Sequence, residues 1–325
     1  MKTHAIRVHH PGGPEVLTWE EISVPAPAAS EVVIRHTAIG LNFIDVYHRT
    51  GLYPAPLPFT PGLEGAGIVE AVGASVRDFK PGDRVAYANP PLGAYAQIRT
   101  MPADRLVKIP DDITDMTAAA MMLQGMTAQY LLRRTYRVKP GDPILIHAAA
   151  GGVGLLVCQW AKHLGATVIG TVGSEDKAEL AHKHGCDYPI LYKTEDFVAR
   201  VKDITNGAGV PVVYDSVGKD TFLKSLDCLS PLGMMVLFGQ SSGKLDLLDT
   251  GLLAAKGSLF LTRPSLMAYT AKRSDLVAGA EELFKVVQKG VVKVHVNQTY
   301  ALKDAAQAHT DLESRKTTGS TVLLP

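Results

Sequence analysis

Cysteine is scarce in this chain: Cys158, Cys186 and Cys228 are its only three among 325 residues. They are far apart, odd in number and form no Cys-x-x-Cys pair, which excludes a disulfide scaffold and a four-cysteine zinc site. A reducing, cytoplasmic compartment is the simplest expectation. Net charge is scarce too: 33 basic and 32 acidic side chains leave +1. That balance gives no electrostatic footprint for nucleic acid or an anionic membrane. Met1 to His10 carries charge and histidine but no apolar signal core, so no export signal is read there. Internal repeats and low-complexity tracts are lacking. The 30 Gly and 20 Pro follow no collagen-like period, and 46% hydrophobic residues is too many for intrinsic disorder.

Unbroken hydrophobic spans are lacking as well, although two segments imitate them. Pro143 to Ala161 runs 19 residues without Asp, Glu, Lys or Arg, the length of a membrane helix. Gly151, Gly152 and Gly154 interrupt it, and it opens as a β-type run. Met116 to Leu132 is also uncharged, with Gly125 in its middle. Both divide into shorter soluble elements.

The first third of the chain reads as β-rich. Glu31 to Ile39 alternates apolar and polar residues, a half-buried strand. Gly62 to Gly73 holds four glycines, suited to turns and close strand approaches. Pro81-Gly82-Asp83 is a turn before a strand at Arg84 to Tyr87. Short strands with frequent turns indicate a small barrel or sandwich. Helix formers dominate Thr114 to Leu123 and Ala128 to Arg134. A regular alternation then begins. Strands are predicted at Ile144 to Ala150, Thr167 to Val172, Tyr188 to Leu191, Val212 to Ser216, Met234 to Phe238 and Ser258 to Leu261. Helices fall between the early ones, at Gly152 to Leu164, Glu175 to His184, Glu195 to Thr205 and Asp220 to Leu229. Continuous aliphatic runs are buried on both faces, so the expectation is α/β: a doubly wound parallel sheet of six strands. The tail adds a helix at Ser274 to Lys289, a strand at Val291 to Val296, a helix at Asp304 to Glu313 and a strand at Ser320 to Leu324. It is expected to fold back onto the first domain. The expected domains are 1–125 with 265–325, and 126–264.

One motif carries chemistry. The strand ending at His147 runs into Ala148-Ala149-Ala150-Gly151-Gly152-Val153-Gly154 and then a helix. Small residues let the backbone approach a pyrophosphate, and the helix start offers N–H groups and a positive dipole end. The spacing is G-x-G-x-x-G with alanine at the first place, in strand–turn–helix context. An NAD site usually ends its second strand with Asp or Glu, for the ribose 2′-OH. Here Gly173 stands at that place, followed by Ser174 and Lys177. A small residue, a hydroxyl and a cation accommodate a 2′-phosphate, and Tyr192 follows the third strand nearby. NADPH is therefore expected over NADH. Glu175 and Asp176 count against it.

The stretch Gly141-Asp142, Leu145, Ala149-Ala150-Gly151-Gly152, Gly154, Gln159 and Lys162 resembles the quinone oxidoreductase/ζ-crystallin signature of the medium-chain dehydrogenase/reductase superfamily. Gly62-x-Glu64-x-x-Gly67, Val72-Gly73 and Phe79-x-x-Gly82-Asp83-x-Val85 resemble that superfamily's GroES-like domain. The resemblance implies a GroES-like barrel as the substrate domain and a Rossmann domain as the NADPH domain. Zinc alcohol dehydrogenases of this superfamily bind zinc through a cysteine and a histidine. The matching places here are Asn42 and Leu63, so no metal site is expected.

A quinone or an enone accepts hydride without a metal. Asn42 to Tyr53 resembles the family's substrate segment, so Tyr47 and Tyr53 are expected to touch substrate, and Asn42 and Asp45 the coenzyme. The resemblance also assigns Thr127, Phe238, Gly239, Ser241 and Arg263 to the coenzyme. The implied activity is an NADPH:quinone reductase, with an alkenal or enoyl reductase as the alternative. A non-enzymatic NADPH-binding or RNA-binding role is the third reading, opposed by the balanced charge. Pairing of apolar Rossmann edge strands is expected to make a homodimer.

Overall fold

The computed structural model describes residues 1–245 and 247–325. The chain forms two compact units: Met1–Met126 with Thr270–Gln288 and Val294–Pro325, and Thr127–Tyr269 with Lys289–Lys293.

In the first unit, β1 (Lys2–Arg7) and β2 (Thr18–Ser23) pair antiparallel. The long strand β3 (Glu31–Leu41) pairs antiparallel with β4 (Glu64–Val72). Between them lies the short helix α1 (Phe43–Arg49). Next come β5 (Arg84–Ala88), β6 (Ile98–Pro102) and β7 (Val107–Lys108). Glycine in β4 is required by close approach: a Cβ on Gly67 would lie 2.1 Å from the carbonyl oxygen of Arg35. Ile34, Ile39, Val85, Tyr87, Tyr95, Met101 and Leu106 form the buried centre of this β-rich unit. The helix expected over Thr114 to Leu123 is divided into α2 (Asp115–Ala119) and α3 (Met122–Tyr130), and a π turn (Leu131–Thr135) follows.

The second unit is a six-stranded parallel sheet. Its elements alternate in chain order. They are β8 (Pro143–Ile146), α4 (Gly152–His163), β9 (Thr167–Val172), α5 (Glu175–Lys183), β10 (Tyr188–Leu191) and α6 (Phe197–Ile204). Then come β11 (Val210–Asp215), α7 (Phe222–Asp227), β12 (Leu229–Leu237), α8 (Gly251–Ala255), β13 (Phe260–Thr262) and α9 (Leu266–Tyr269). The strand order is β10-β9-β8-β11-β12-β13. It reverses between β8 and β11, the switch point beside which open α/β sheets bind ligands. Ile144, Leu145, Ile146, Val168 and Ile169 are fully buried, which is why these strands read as unbroken aliphatic runs. The run at Met234 is not an edge: β12 lies between β11 and β13, and only β13 borders the sheet on that side.

The chain returns to the first unit through α10 (Arg273–Gln288), β14 (Val296–Ala301), α11 (Ala305–Glu313) and β15 (Ser320–Leu324). The sheet there runs β14-β15-β3-β4-β5-β7, with β6 on β3. The strand expected at Val291 to Val296 is corrected. It starts where the expected one ends, at Val296. Lys293 pairs its backbone with the Gln159 amide, N–H to Oε1 at 2.8 Å and carbonyl to Nε2 at 3.1 Å. A helix side chain thus takes the groups a strand neighbour would use. No helix among the described residues is long and apolar enough to cross a membrane.

Candidate functional site

Loops leave the carboxyl ends of the second unit's parallel strands. After β8, Ala148 adopts φ +55°, a left-handed conformation that costs a non-glycine residue about 1 kcal/mol. Gly151 then caps α4 in extended conformation, and no side chain caps the first turn formed by Gly152, Val153 and Gly154. A Cβ on Gly154 would lie 2.3 Å from the Ala148 carbonyl oxygen, and one on Gly151 3.2 Å from it. The bend is therefore a backbone cradle with its N–H groups at a positive helix end, which fits a pyrophosphate.

After β9, Gly173 lies beneath Tyr192, whose hydroxyl would be 3.0 Å from a Cβ there. The Tyr192 N–H bonds the Val172 carbonyl at 3.2 Å. Ser174 is the exposed N-cap of α5, and Lys177 lies in its first turn. Gly173, Ser174 and Lys177 thus follow β9 directly, with Tyr192 over Gly173. Glu175 and Asp176 sit exposed in the same turn, where they complement the helix dipole.

After β12, the N–H groups of Phe238 and Gly239 reach the Asp215 carbonyl at 2.8 and 3.3 Å. Ser241 N–H bonds the Ser216 carbonyl at 3.1 Å. A Cβ on Gly239 would strike that same Ser216 oxygen at 2.6 Å, so this loop crosses directly over the end of β11. Arg263, just past β13, donates to the Leu237 carbonyl at 3.0 Å. Thr127 is buried on α3 and hydrogen-bonds Tyr130, which stacks on Tyr269 at 4.5 Å.

A buried support beneath this rim escaped sequence reasoning. His147 bridges the hydroxyls of Thr171 (2.9 Å) and Ser225 (2.8 Å). Burial lowers its pKa against the pull of Asp215, so the ring is neutral. The Asp215 carboxylate accepts from Val217 N–H, Gly218 N–H and the Thr221 hydroxyl at 2.7, 3.0 and 2.7 Å. A histidine ending an aliphatic strand was the available signal.

The first unit holds a different kind of site. Asn42 caps α1, and Asp45 returns the bond by accepting the Asn42 N–H at 3.0 Å. The Asn42 amide donates to Glu64 Oε2 at 2.6 Å and accepts from Gln124 at 3.1 Å. Glu64 Oε1 accepts the Leu123 N–H at 2.7 Å. Ser320 Oγ lies 2.7 Å from the Gln124 carbonyl oxygen. Asp45 Oδ2 also accepts from the Tyr95 hydroxyl at 3.0 Å. Burial pushes Glu64 up to about 8 and Asp45 up to about 7.

Asp45, expected at the coenzyme, keeps one carboxyl oxygen, Oδ1, without a hydrogen-bond partner among the described residues. Its carboxyl is wholly buried, and its bonded oxygen serves the helix cap and Tyr95. The Asn42 amide is likewise engaged at both ends inside the unit. Tyr47 and Tyr53 do come together, with rings 5.2 Å apart edge-on. Phe43 lies 6.2 Å from Tyr47, and His48 5.7 Å from Tyr53. Glu64, Tyr95, Gln124, His309 and Ser320 were missed as a group because they are scattered over more than 250 positions.

Residues 28–111 match the alcohol dehydrogenase GroES-like domain, and 152–282 match the family described as zinc-binding dehydrogenase. A GroES-like unit carrying an inserted Rossmann sheet defines a medium-chain dehydrogenase/reductase. The chain is 54% identical to a quinone oxidoreductase of Pseudomonas aeruginosa over 315 residues, 97% of each chain. It is 51% identical to a 2-haloacrylate reductase of Burkholderia over 326 residues, 98% of each. The crystal structure of Escherichia coli quinone oxidoreductase complexed with NADPH superimposes with a TM-score of 0.98, at 51% identity, over 99% of this chain and 100% of that one. The chain belongs to the quinone oxidoreductase family. A catalytic zinc does not fit it. Leu63 has no donor atom, the Asn42 amide is engaged, and among the described residues no three His, Cys, Asp or Glu are grouped to hold a metal.

Proposed function

We propose that this chain is an NADPH:quinone oxidoreductase, reducing a quinone to its hydroquinone without a metal. The observation that carries the reading is the cradle at Ala148–Gly154 together with the Gly173–Ser174–Lys177–Tyr192 patch. The relative whose structure was solved with NADPH supports the same coenzyme.

Bound NADPH supplies the hydride. Gly152 and Val153 hold the pyrophosphate through backbone N–H groups, while Gly151, whose own N–H closes the bend on the Ala148 carbonyl at 2.9 Å, keeps the approach clear of a side chain. Lys177 and Ser174 hold the 2′-phosphate, with Gly173 leaving room and Tyr192 covering it. Phe238, Gly239, Ser241, Arg263 and Thr127 line the remainder, so the second unit is the coenzyme unit. Tyr47 and Tyr53 contact the quinone: two edge-on rings suit a flat substrate, and a phenol hydroxyl can donate to the oxygen where charge develops. Each quinone takes up one hydride and one proton. Asn42 and Asp45 act by holding the helix that carries Tyr47.

The 2-haloacrylate reductase relative favours a second reading, reduction of a conjugated carbon–carbon double bond. NADPH consumption with a naphthoquinone and with an enone separates the two. Faster kcat/KM on the enone would overturn the first reading. Failure with both would overturn both readings.

We infer a homodimer paired through β13, because Phe260 is 57% exposed on that edge strand. Phe260→Asp should convert a dimer to a monomer in light scattering; a wild-type monomer at micromolar concentration would end the idea. Three buried free cysteines support a reducing, cytoplasmic compartment.

A further inference from the structure

A chain of hydrogen bonds in the first unit has a fixed direction. Arg49 is 1% exposed and can only donate, so Nδ1 of His309, 3.0 Å from Nη1, must accept. Burial and the Arg49 charge push His309 down to about 3, so the ring is neutral and carries its proton on Nε2. Nε2–H therefore donates to Tyr95 Oη at 3.1 Å, and the Tyr95 hydroxyl donates to Asp45 Oδ2 at 3.0 Å. At the other end, Glu313 grips Arg49 with two bonds of 2.8 and 2.9 Å, and Arg49 Nε donates to the Gly12 carbonyl at 3.1 Å. Along the path from Arg49 through His309 and Tyr95, each donated proton points toward Asp45.

Both ends of the chain meet α1 on one face. Asp45 and Arg49 are four residues apart, and both are buried. Phe43 and Tyr47, also four apart, lie roughly 120–160° around the axis from them. A seven-residue helix has little stability of its own. Two tethers on one face fix its rotation and therefore where Tyr47 points.

We propose that Arg49, His309 and Tyr95 form a positioning device for quinone binding, in which α11 sets the rotation of α1 through the polarised chain into Asp45. The proposal rests on Tyr47 and Tyr53 being quinone contacts. It makes His309 a residue that acts on the substrate through others.

The test compares His309→Leu, which removes both bonds, with His309→Gln, whose amide can still accept from Arg49 and donate to Tyr95. His309→Leu should raise KM for a naphthoquinone about tenfold while changing kcat and the NADPH Kd by less than about threefold. His309→Gln should restore most of the lost KM. Hydrogen exchange should show α1 amides losing protection in His309→Leu and regaining it in His309→Gln. Unchanged α1 protection, or an unchanged quinone KM, in His309→Leu overturns the proposal. So does a parallel fall of kcat and NADPH affinity that His309→Gln fails to rescue. Should His309→Leu not fold, Tyr95→Phe, lacking one hydroxyl, must show the same KM rise and loss of α1 protection, or the proposal fails. If wild-type enzyme reduces no quinone while α1 protection still follows His309, the functional reading has failed and the mechanical link stands.

Discussion

The two units build their sites from opposite materials. The second unit works by leaving side chains out: Gly151, Gly154, Gly173 and Gly239 let neighbouring chain segments approach closely. The first unit works by burying side chains: Asn42, Asp45, Glu64, Tyr95, Gln124 and His309 are buried and joined by hydrogen bonds. A backbone site tolerates pH and fails when a Cβ is added. A buried polar network tolerates small steric change at its rim, but depends on the protonation state of each member.

The strongest way to break this contrast is Gly154→Val. Its Cβ would meet the Ala148 carbonyl at 2.3 Å, and backbone cannot yield as a flexible side chain does. NADPH affinity should fall more than about 100-fold, or about 2.7 kcal/mol, in a calorimetric titration. Gly40→Ala is the counterpart in the first unit. Its Cβ would lie 2.2 Å from Glu64 Oε2 and 2.3 Å from the Ala119 carbonyl. The expected cost is about 2–3 kcal/mol of stability, read by denaturant unfolding.

The buried polar network also responds to pH. In the folded chain Glu64 and Asp45 keep their protons up to about 8 and about 7, where the unfolded chain has already released them. Their contribution is fully present below the ordinary carboxylate range and is lost as pH rises through those values. His36 and His309, lowered to about 3, contribute in the opposite sense: fully above the ordinary histidine value of 6.5, and lost as pH falls toward 3. Above pH 6.5 the histidine contribution is complete and only the carboxylate loss continues. Melting temperature should therefore fall between about pH 6.5 and 8, and Glu64→Gln should flatten that fall. A steeper fall in Glu64→Gln would count against the assignment. The smallest effect is expected at the coenzyme patch: Lys177→Gln should reduce the preference for NADPH over NADH about tenfold, or about 1.4 kcal/mol. Equal loss with both coenzymes would assign Lys177 to the pyrophosphate instead.

The same division governed what could be read in advance. The run from Ile144 to Gly154 announces strand, bend and helix within a dozen residues, because each small residue answers a local steric demand. Thr167 to Val172 coincides with β9 because a buried parallel strand leaves a mostly apolar run, and Tyr188 to Leu191 coincides with the edge strand β10, of which only Ile190 is buried. Val291 to Val296 misled because it has a strand's composition, while Gln159, 134 residues away, holds Lys293. Asp45 differs again. Its capping geometry is local, but its hydrogen-bond partner Tyr95 stands 50 residues on.

The order of local elements, the glycine cradle and the missing carboxylate after β9 were thus determined by neighbours in sequence, where backbone sterics and hydrophobic periodicity act. Which polar side chains lie buried, which proton each keeps and which way the hydrogen bonds run were decided only by the tertiary structure. A polar group in low dielectric takes its state from whatever partners surround it. In the first unit those partners are Arg49, Tyr95 and His309, which the folded chain alone brings within hydrogen-bond reach.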